Sequence, residues 1–346
     1  MFATNKSSFA HSAFCLKVAT VNLFNFVEPP SAFYSFDNIY TQHEWQKKLN
    51  WLNRYIGNYH PDVIAFQEVF SAKALRAQLE HLGYTFFAVI DEPTQTDEYI
   101  FRDPVVALAS RYPILCAEPV LPDVSLAQKT GVTEEFSFSR TPLFATLELP
   151  ALGETDFYVV HLKSKRPKEF ALPSDNKQTL HDTMIDEMTG FWASAIQRGT
   201  EASQLMANVL RRRSHTNNPV VLLGDFNDEL SSEVLHPFHL GGIRNITDDM
   251  ADMPLSHYQL HDCWDLYVKT QDNIDFERPP THYHGGRGSV LDYILLSNEF
   301  DHSDPERLVE VAEYHCEDKH LVNPHFDQDS HSSDHALVSV TLSLRR

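Results

Sequence analysis

Cysteine is scarce in this chain. Cys15, Cys116, Cys263 and Cys316 are scattered over 346 residues without metal-binding spacing. That argues against a zinc module or a disulfide-stapled scaffold and leaves buried thiols as the expectation. Glycine is also sparse, at 12 residues, and neither a Gly-rich phosphate loop nor a Ser-His-Asp hydrolase signature occurs. No apolar run reaches the ~18 residues that a membrane span needs. The stretch Met1 to Ser8 lacks a basic start followed by an apolar core, so no secretory leader and a cytoplasmic location are expected. Cations are under-represented: 28 Lys+Arg against 48 Asp+Glu give a formal net charge of −20. Such a surface repels polyanions at long range and argues against tight non-specific nucleic-acid binding. A nuclease stays open, because local cations and a bound metal set the field inside a cleft.

What the chain does contain is a set of apolar strands that end in polar residues. Val220-Val221-Leu222-Leu223 runs into Gly224-Asp225-Phe226-Asn227. An apolar run of this length reads as a buried strand, and Asp225 and Asn227 at its C-terminal edge share a face. A simple turn would use the same residues. The pattern recurs, however. Val18 to Val21 precedes Asn22, Asp62 to Gln67 precedes Glu68, and Phe157 to Val160 precedes His161. Val290-Leu291 leads into Asp292, and Ser333-Asp334-His335 precedes Ala336 to Val340. Buried polar groups cost free energy unless paired, so a core has no need of them at six strand ends, whereas a convergent active site does.

The set Asn22, Gln67-Glu68, His161, Gly224-Asp225-Phe226-Asn227, Leu291-Asp292-Tyr293 and Ser333-Asp334-His335 resembles the endonuclease/exonuclease/phosphatase superfamily. The motifs stand in that family's order and span residues 16 to 344. The resemblance implies a four-layer αββα sandwich, with two packed, mostly antiparallel sheets flanked by helices. Pattern alone gives only mixed α/β. The motifs reach from one end of the chain to the other, so residues 1–346 read as a single domain with insertions at about 164–218 and 243–289.

Local signals place several elements. Leu16 to Leu23 reads as the first strand. Thr41 to Asn58 reads as a helix with Trp45, Leu49, Leu52 and Ile56 at helical spacing, and Thr41 with Glu44 forms a capping box. Ser71 to Leu82 reads as a short helix capped by Ser71 and closed by Gly83. An acidic loop, 91–103, separates strands at Tyr84 to Ile90 and Val105 to Ser110, and a hairpin around Gly153 joins Pro142–Leu149 to Asp156–Leu162. The stretch from Thr179 to Arg213 reads as two helices meeting near Gly190 or Gly199, ending in a solvated Arg211-Arg212-Arg213. The late histidines, among them His315, His320, His325 and His331, are expected on the surface.

The chemistry follows from residue types and from the resemblance together. Breaking a phosphate ester needs an attacking water, a cation and donors for the phosphoryl oxygens. Glu68 is a hard carboxylate suited to Mg²⁺ or Mn²⁺. Asn22 either orients Glu68 or binds the metal through its amide oxygen; the resemblance implies the metal site. The resemblance also sets His335 on the scissile phosphate, supported by Asp292, with Asp334 on the metal or on its water. Asp225 aligns or deprotonates the water, and Asn227 donates to a phosphoryl oxygen. Whether Asp225 or His335 takes the proton stays open, as does the number of metals. His161 is similar to deoxyribonucleases and sphingomyelinases, whereas abasic-site endonucleases carry Tyr there and an Asp where this chain has Phe24. Arg111 matches a position near the substrate phosphates, or is a turn residue. Lys163, Lys165 and Arg166 are candidate phosphate binders, or a solvated loop. Phe24 and Phe26 either stack on a base or belong to the core.

The resulting expectation is a metal-dependent phosphodiesterase or nuclease acting on DNA or RNA. The alternatives are an enzyme for a small soluble phosphate ester or lipid headgroup, and a binding module that retains the fold. The 243–289 segment and the Lys-rich start of 164–218 are expected to form opposite walls of the cleft, the first of them acidic. No protein partner is legible, and a monomer is the expectation.

Overall fold

The computed structural model describes residues 14–132, 136–170, 179–239, 255–271, 277–301, 303 and 309–345. The main elements, in chain order, begin with β1 (Cys15–Phe26), α1 (Gln42–Tyr59), β2 (Val63–Val69), α2 (Ala72–His81), β3 (Phe86–Ala88) and β4 (Val105–Ser110). Then follow β5 (Ile114–Pro119), β6 (Leu143–Leu149), β7 (Gly153–His161), α3 (Leu180–Arg213) and β8 (Val220–Asp225). The last are β9 (Leu260–Asp262), α4 (Cys263–Thr270), β10 (Asp292–Ser297), β11 (Val309–Glu317) and β12 (Leu337–Leu344).

The strands form two six-stranded sheets, ordered β11-β12-β1-β2-β4-β3 and β9-β10-β8-β7-β6-β5. One apolar cluster, including Val18, Leu108, Val159, Leu223 and Val340, lies between the sheets. A second packs α1 and α2 through Trp51, Leu52, Ile56 and Leu79 on the outer face of the first sheet. A third packs Ala202, Leu205, Met206 and Val209 of α3 on the outer face of the second. These are the four layers that the resemblance implied.

Each of these two sheets has a parallel pair at its centre, β1 with β2 and β7 with β8, and every other pairing within them is antiparallel. Parallel neighbours end at the same edge, so Asn22 sits opposite Gln67 and His161 opposite Asp225. The antiparallel neighbour β10 begins at that edge, with Asp292 opposite Asp225, and β12 begins just after His335. Topology thus brings four strand ends and two strand starts to one rim.

Several expectations change. The capping box at Thr41 and Glu44 forms, but Ser71 makes no cap hydrogen bond, because its hydroxyl accepts from Glu28 N–H instead. The 179–213 stretch is one continuous 34-residue helix. Gly190 does not break it; a Cβ there would lie 2.4 Å from Lys168 O, so the glycine lets the 165–168 loop cross. Of the arginines ending α3, Arg211 is exposed as expected, but the other two turn inward. Arg212 pairs with buried Asp156 and Arg213 with Glu299, and Arg213 also donates to the carbonyls of His257 and Asn218. Cys15 is exposed rather than a buried thiol. The acidic loop contains strands Thr94–Asp97 and Ile100–Arg102, and strand β11 had no recognised sequence signal. Among the described residues no helix is long and apolar enough to cross a membrane.

Candidate active site

Glu68 reaches the rim through a left-handed backbone, with φ 58°. The pairing of β2 slips there, against β4 between Phe66 and Val69 and against β1 between Asn22 and Phe26. A bulge re-aims one side chain out of the strand alternation, and non-glycine residues in this region concentrate at functional sites. Asn25 N–H donates to Glu68 Oε2 at 2.9 Å, and Asn22 Nδ2 donates to Oε1 at 3.3 Å. Asn22 Nδ2 also donates to Asp225 Oδ2 at 3.1 Å, while its Oδ1 accepts from Phe24 N–H at 3.0 Å. Asn22 therefore contacts two carboxylates through its amide nitrogen, and its amide oxygen keeps a second lone pair after accepting from Phe24 N–H.

Asp225 lies at the centre, 1% exposed. Its predecessor Gly224 must be glycine, since a Cβ would fall 2.0 Å from Val160 O. Asp225 Oδ1 accepts from Asn227 N–H at 2.8 Å. The Asn227 amide donates to Leu162 O at 2.9 Å and to Asp225 Oδ2 at 3.3 Å, so here it holds Asp225 rather than presenting a free donor. Two imidazoles face the same carboxylate oxygen, His161 Nε2 at 3.4 Å and His335 Nε2 at 3.8 Å. On its other side, His335 Nδ1 donates to Asp292 Oδ2 at 2.8 Å. Asp334 Oδ1 is 4.0 Å from His335 Nε2. Ser333 ties the start of β12 to the end of β1 within the first sheet: its hydroxyl donates to Asn22 O at 2.6 Å and accepts from His335 N–H at 3.0 Å.

The electrostatics separate the two histidines. Burial opposes charging His335, but Asp292 and Asp225 overcome it and hold its pKa well above the ordinary value. For His161, burial, Arg140 and His335 all act downward, and it stays neutral. Burial and Asp292 push Asp225 up to about 7, while His335 and the Asn227 and Asn22 hydrogen bonds pull the other way. Perturbed groups gathered in one cleft mark a functional site.

These side chains line a cleft of about 550 Å³ that also includes Tyr34, Phe24, Arg140, Lys165, Arg166 and His282. A larger cavity, about 900 Å³ beside Trp264, Arg278 and Tyr293, contains none of the converging groups. Glu68, His161, Asp225, Asp334 and His335 all line the smaller one.

Of the cations expected to bind phosphate, Lys165 and Arg166 line the cleft; Lys165 Nζ also pairs with Asp228 Oδ1 at 2.7 Å. Lys163 folds back, donating to the carbonyls of Ser164 and Arg166. Arg111 is not brought to the site. Its guanidinium stacks over Tyr84 at 4.7 Å and donates to the carbonyls of Pro61, Leu82 and Gly83. Phe26 is core, whereas Phe24, 38% exposed, lines the cleft. His320 is buried beneath the site, donating to His335 O at 2.9 Å.

Sequence reasoning missed Tyr34, Arg140, His282 and His284, all of which line the cleft. Tyr34 and Arg140 lie in irregular segments, and His282 and His284 in a three-residue strand, His282–His284, too short to show a periodic signal. His282 bridges to His335 through the backbone, with ring centroids 4.9 Å apart. Thus segments 164–166 and 282–289 both contribute lining to the cleft. The lining from the second is His282, His284 and Ser289, not acidic residues; much of its expected acidic wall, in 243–254 and 272–276, falls outside the described residues.

Comparison with solved structures finds the same fold. The human Nocturnin catalytic domain with bound sulfate superposes with TM-score 0.58 at 18% identity, over 96% of this chain and 95% of that one. TDP2 from D. rerio, complexed with a single-strand DNA product, gives 0.53 at 14% identity over 95% and 98%. ANGEL2, described as a 2′,3′-cyclic phosphatase, gives 0.54 at 15% identity over 96% and 95%. No curated protein matches the sequence. The model of the Endonuclease/Exonuclease/phosphatase family matches residues 20–335, and the chain accordingly belongs to that family of hydrolases acting on phosphate esters.

Proposed function

We propose that this protein is a divalent-metal-dependent phosphodiesterase of the nuclease type, hydrolysing its substrate by in-line attack of water. One observation carries the reading: buried Asp225, pushed toward neutral pKa, stands between a neutral His161 and a charged, Asp292-bound His335.

The donor set suits a hard cation. Glu68 and Asp334 present carboxylates to the cleft, and Asp334 Oδ1 is buried with no hydrogen-bond partner among the described residues. Among the described residues, the ligand-atom groups that could hold a metal are His282-Asp334-His335 and Asp225-Asp292-His335, and neither includes Glu68. Both depend on His335, whose charge opposes cation binding, so we assign a Mg²⁺ or Mn²⁺ to Glu68 with Asp334. When bound, the cation supplies charge neutralisation at the phosphoryl oxygens. The chain's own groups do the rest. Asp225 accepts the proton of the attacking water as the ester P–O bond breaks, and the leaving oxygen takes up a proton from solvent. His335 donates Nε2–H to a phosphoryl oxygen, and Asp292 fixes its tautomer and charge. Asn22 and Asn227 hold Asp225 in place, while Lys165, Arg166 and Arg140 receive substrate phosphate.

Phe24 and Tyr34, partly exposed beside those cations, suit the bases of a single-stranded nucleic acid. The D. rerio TDP2 complex, with its DNA product, supports that choice. The −20 charge favours a second reading, a small phosphate ester such as the cyclic phosphate that ANGEL2's description names. The test is hydrolysis of single-stranded DNA, plasmid DNA, RNA and bis-p-nitrophenyl phosphate with Mg²⁺ or Mn²⁺. Folded protein inactive on all of them eliminates the nuclease reading. Turnover of soluble monoesters or cyclic phosphates far above that of DNA and RNA selects the second.

A further inference from the structure

Helix α3 is 34 residues long, about 50 Å at ~1.5 Å per residue. The apolar face of its C-terminal half is buried against the second sheet through Ala202, Leu205, Met206 and Val209. The same face continues N-terminally as Leu180, Met184, Ile185, Met188, Phe191 and Trp192, and here each residue is more than half exposed; Leu180 reaches 75% and Trp192 64%. Isolated exposed apolar residues are ordinary, but a contiguous patch beyond a few hundred Å² marks an interaction surface.

We infer that this stripe is a homodimer interface, closed by the same stripe of a second copy packed antiparallel across a twofold axis near Met188. This rests on α3 alone and is independent of the proposed activity. Three observations select a second copy. The first is area. Six large side chains exposing on the order of 100 Å² each give roughly 600–700 Å² per chain, which doubled reaches the ~1,200–2,000 Å² of a stable interface. The second is spacing. Met184, Met188 and Phe191 recur at four and three residues, the seam of paired helices. Reversed about Met188, the seam sets Trp192 of one chain against Met184 of the other, a favourable sulfur–aromatic contact, and Phe191 against Ile185. The third is charge. Asp182, Asp186 and Glu187 lie within the first eight residues of the helix. In a parallel pair each would lie level with its own copy, whereas reversal about Met188 sets Asp182 level with residue 194 of the other chain and leaves Asp186 and Glu187 beside the axis. The same charges disfavour a lipid surface: interfacial helices carry Lys and Arg on their polar face, and no Lys or Arg occurs from Leu180 to Gln197.

The test uses the full chain in sedimentation velocity over about a hundredfold range of concentration. A dimer is expected, and Met188→Glu combined with Phe191→Glu should raise its dissociation constant at least about a hundredfold without altering turnover of a small soluble substrate. In a Cys15→Ser background, Met188→Cys should form a self-disulfide on mild oxidation, while Leu180→Cys should not. The crosslink reads geometry without a charge in the stripe, and circular dichroism checks that each variant folds. A monomer at every concentration overturns the inference. So does a dimer unaffected by the paired charges, or one crosslinked at Leu180→Cys and not at Met188→Cys. Binding of monomeric protein to phosphatidylcholine vesicles, abolished by the same charges, overturns it in favour of a lipid surface.

Discussion

The carboxylate of Asp292 holds the imidazole of His335 through a 2.8 Å hydrogen bond to Nδ1, with both side chains buried. That bond directs Nε2 toward the cleft and keeps the ring charged. Asp292→Asn preserves the shape and removes the charge. We expect kcat to fall by about 10²–10⁴ with KM within a few-fold of wild type. Steady-state kinetics on whichever ester is turned over provide the measurement. A pure KM effect would refute a transition-state role for the pair.

Glu68 is aimed by a bulge and two hydrogen bonds, so Glu68→Gln should change charge more than geometry. Mg²⁺ affinity measured by calorimetry is expected to weaken by about 10–100-fold or more, with thermal stability of the metal-free protein little changed. Unaltered Mg²⁺ binding would place the cation elsewhere.

Lys165 and Arg166 line the cleft whereas Arg111 does not. Reversing Lys165 and Arg166 to Glu should raise KM more than it lowers kcat, the sign of lost uniform binding. Arg111→Ala should leave both constants near wild type and cost about 1–2 kcal/mol of stability, since it removes bonds to three carbonyls and the Tyr84 stack. A large KM rise in Arg111→Ala would contradict its placement.

Asp225 works as a base only when ionised, and its pKa is raised to about 7 by burial. Activity should therefore fall as pH drops through that value. Bound cation draws the acid limb lower, so the limb should lie at or below about 7 and move with the metal used. Asp225→Asn should lose the limb along with most of kcat. A limb that persists in the residual activity would assign the base to another group.

Lys48 is buried in α1, donating to Phe24 O at 2.9 Å and Ser332 O at 3.1 Å, the chain segments beside Asn22 and Asp334. Burial lowers its pKa to about 7. Between about 7 and its unfolded value near 10.4, the unfolded chain binds more protons, so this group makes stability rise with pH. Lys48→Met leaves two carbonyls unsatisfied, at a cost of about 1–3 kcal/mol each, and removes that slope. Urea unfolding should show a deficit that is larger at pH 9 than at pH 7. A constant deficit would mean that Lys48 stays charged in the fold.

By itself the sequence determined what local patterns encode. Apolar runs that stop at Asn22, Glu68, His161, Asp225 and Asp292 mark buried strands with polar ends, because a period-two surface and an unpaired polar group have opposite preferences for the interior. The Thr41–Glu44 box is equally local, a matter of four adjacent residues. Only the tertiary structure decided partners. It withdrew Arg111 to Tyr84 and Lys163 to its own loop, turned the Arg212–Arg213 pair inward onto Asp156 and Glu299, and joined the 180–213 stretch into one helix by laying a loop across Gly190. It also brought Tyr34, Arg140 and His282 to the cleft from segments too irregular or too short to show a period. Each outcome depends on which distant backbone carbonyl, ring or carboxylate arrives within hydrogen-bonding reach. That is set by how two sheets stack, not by any spacing along the chain.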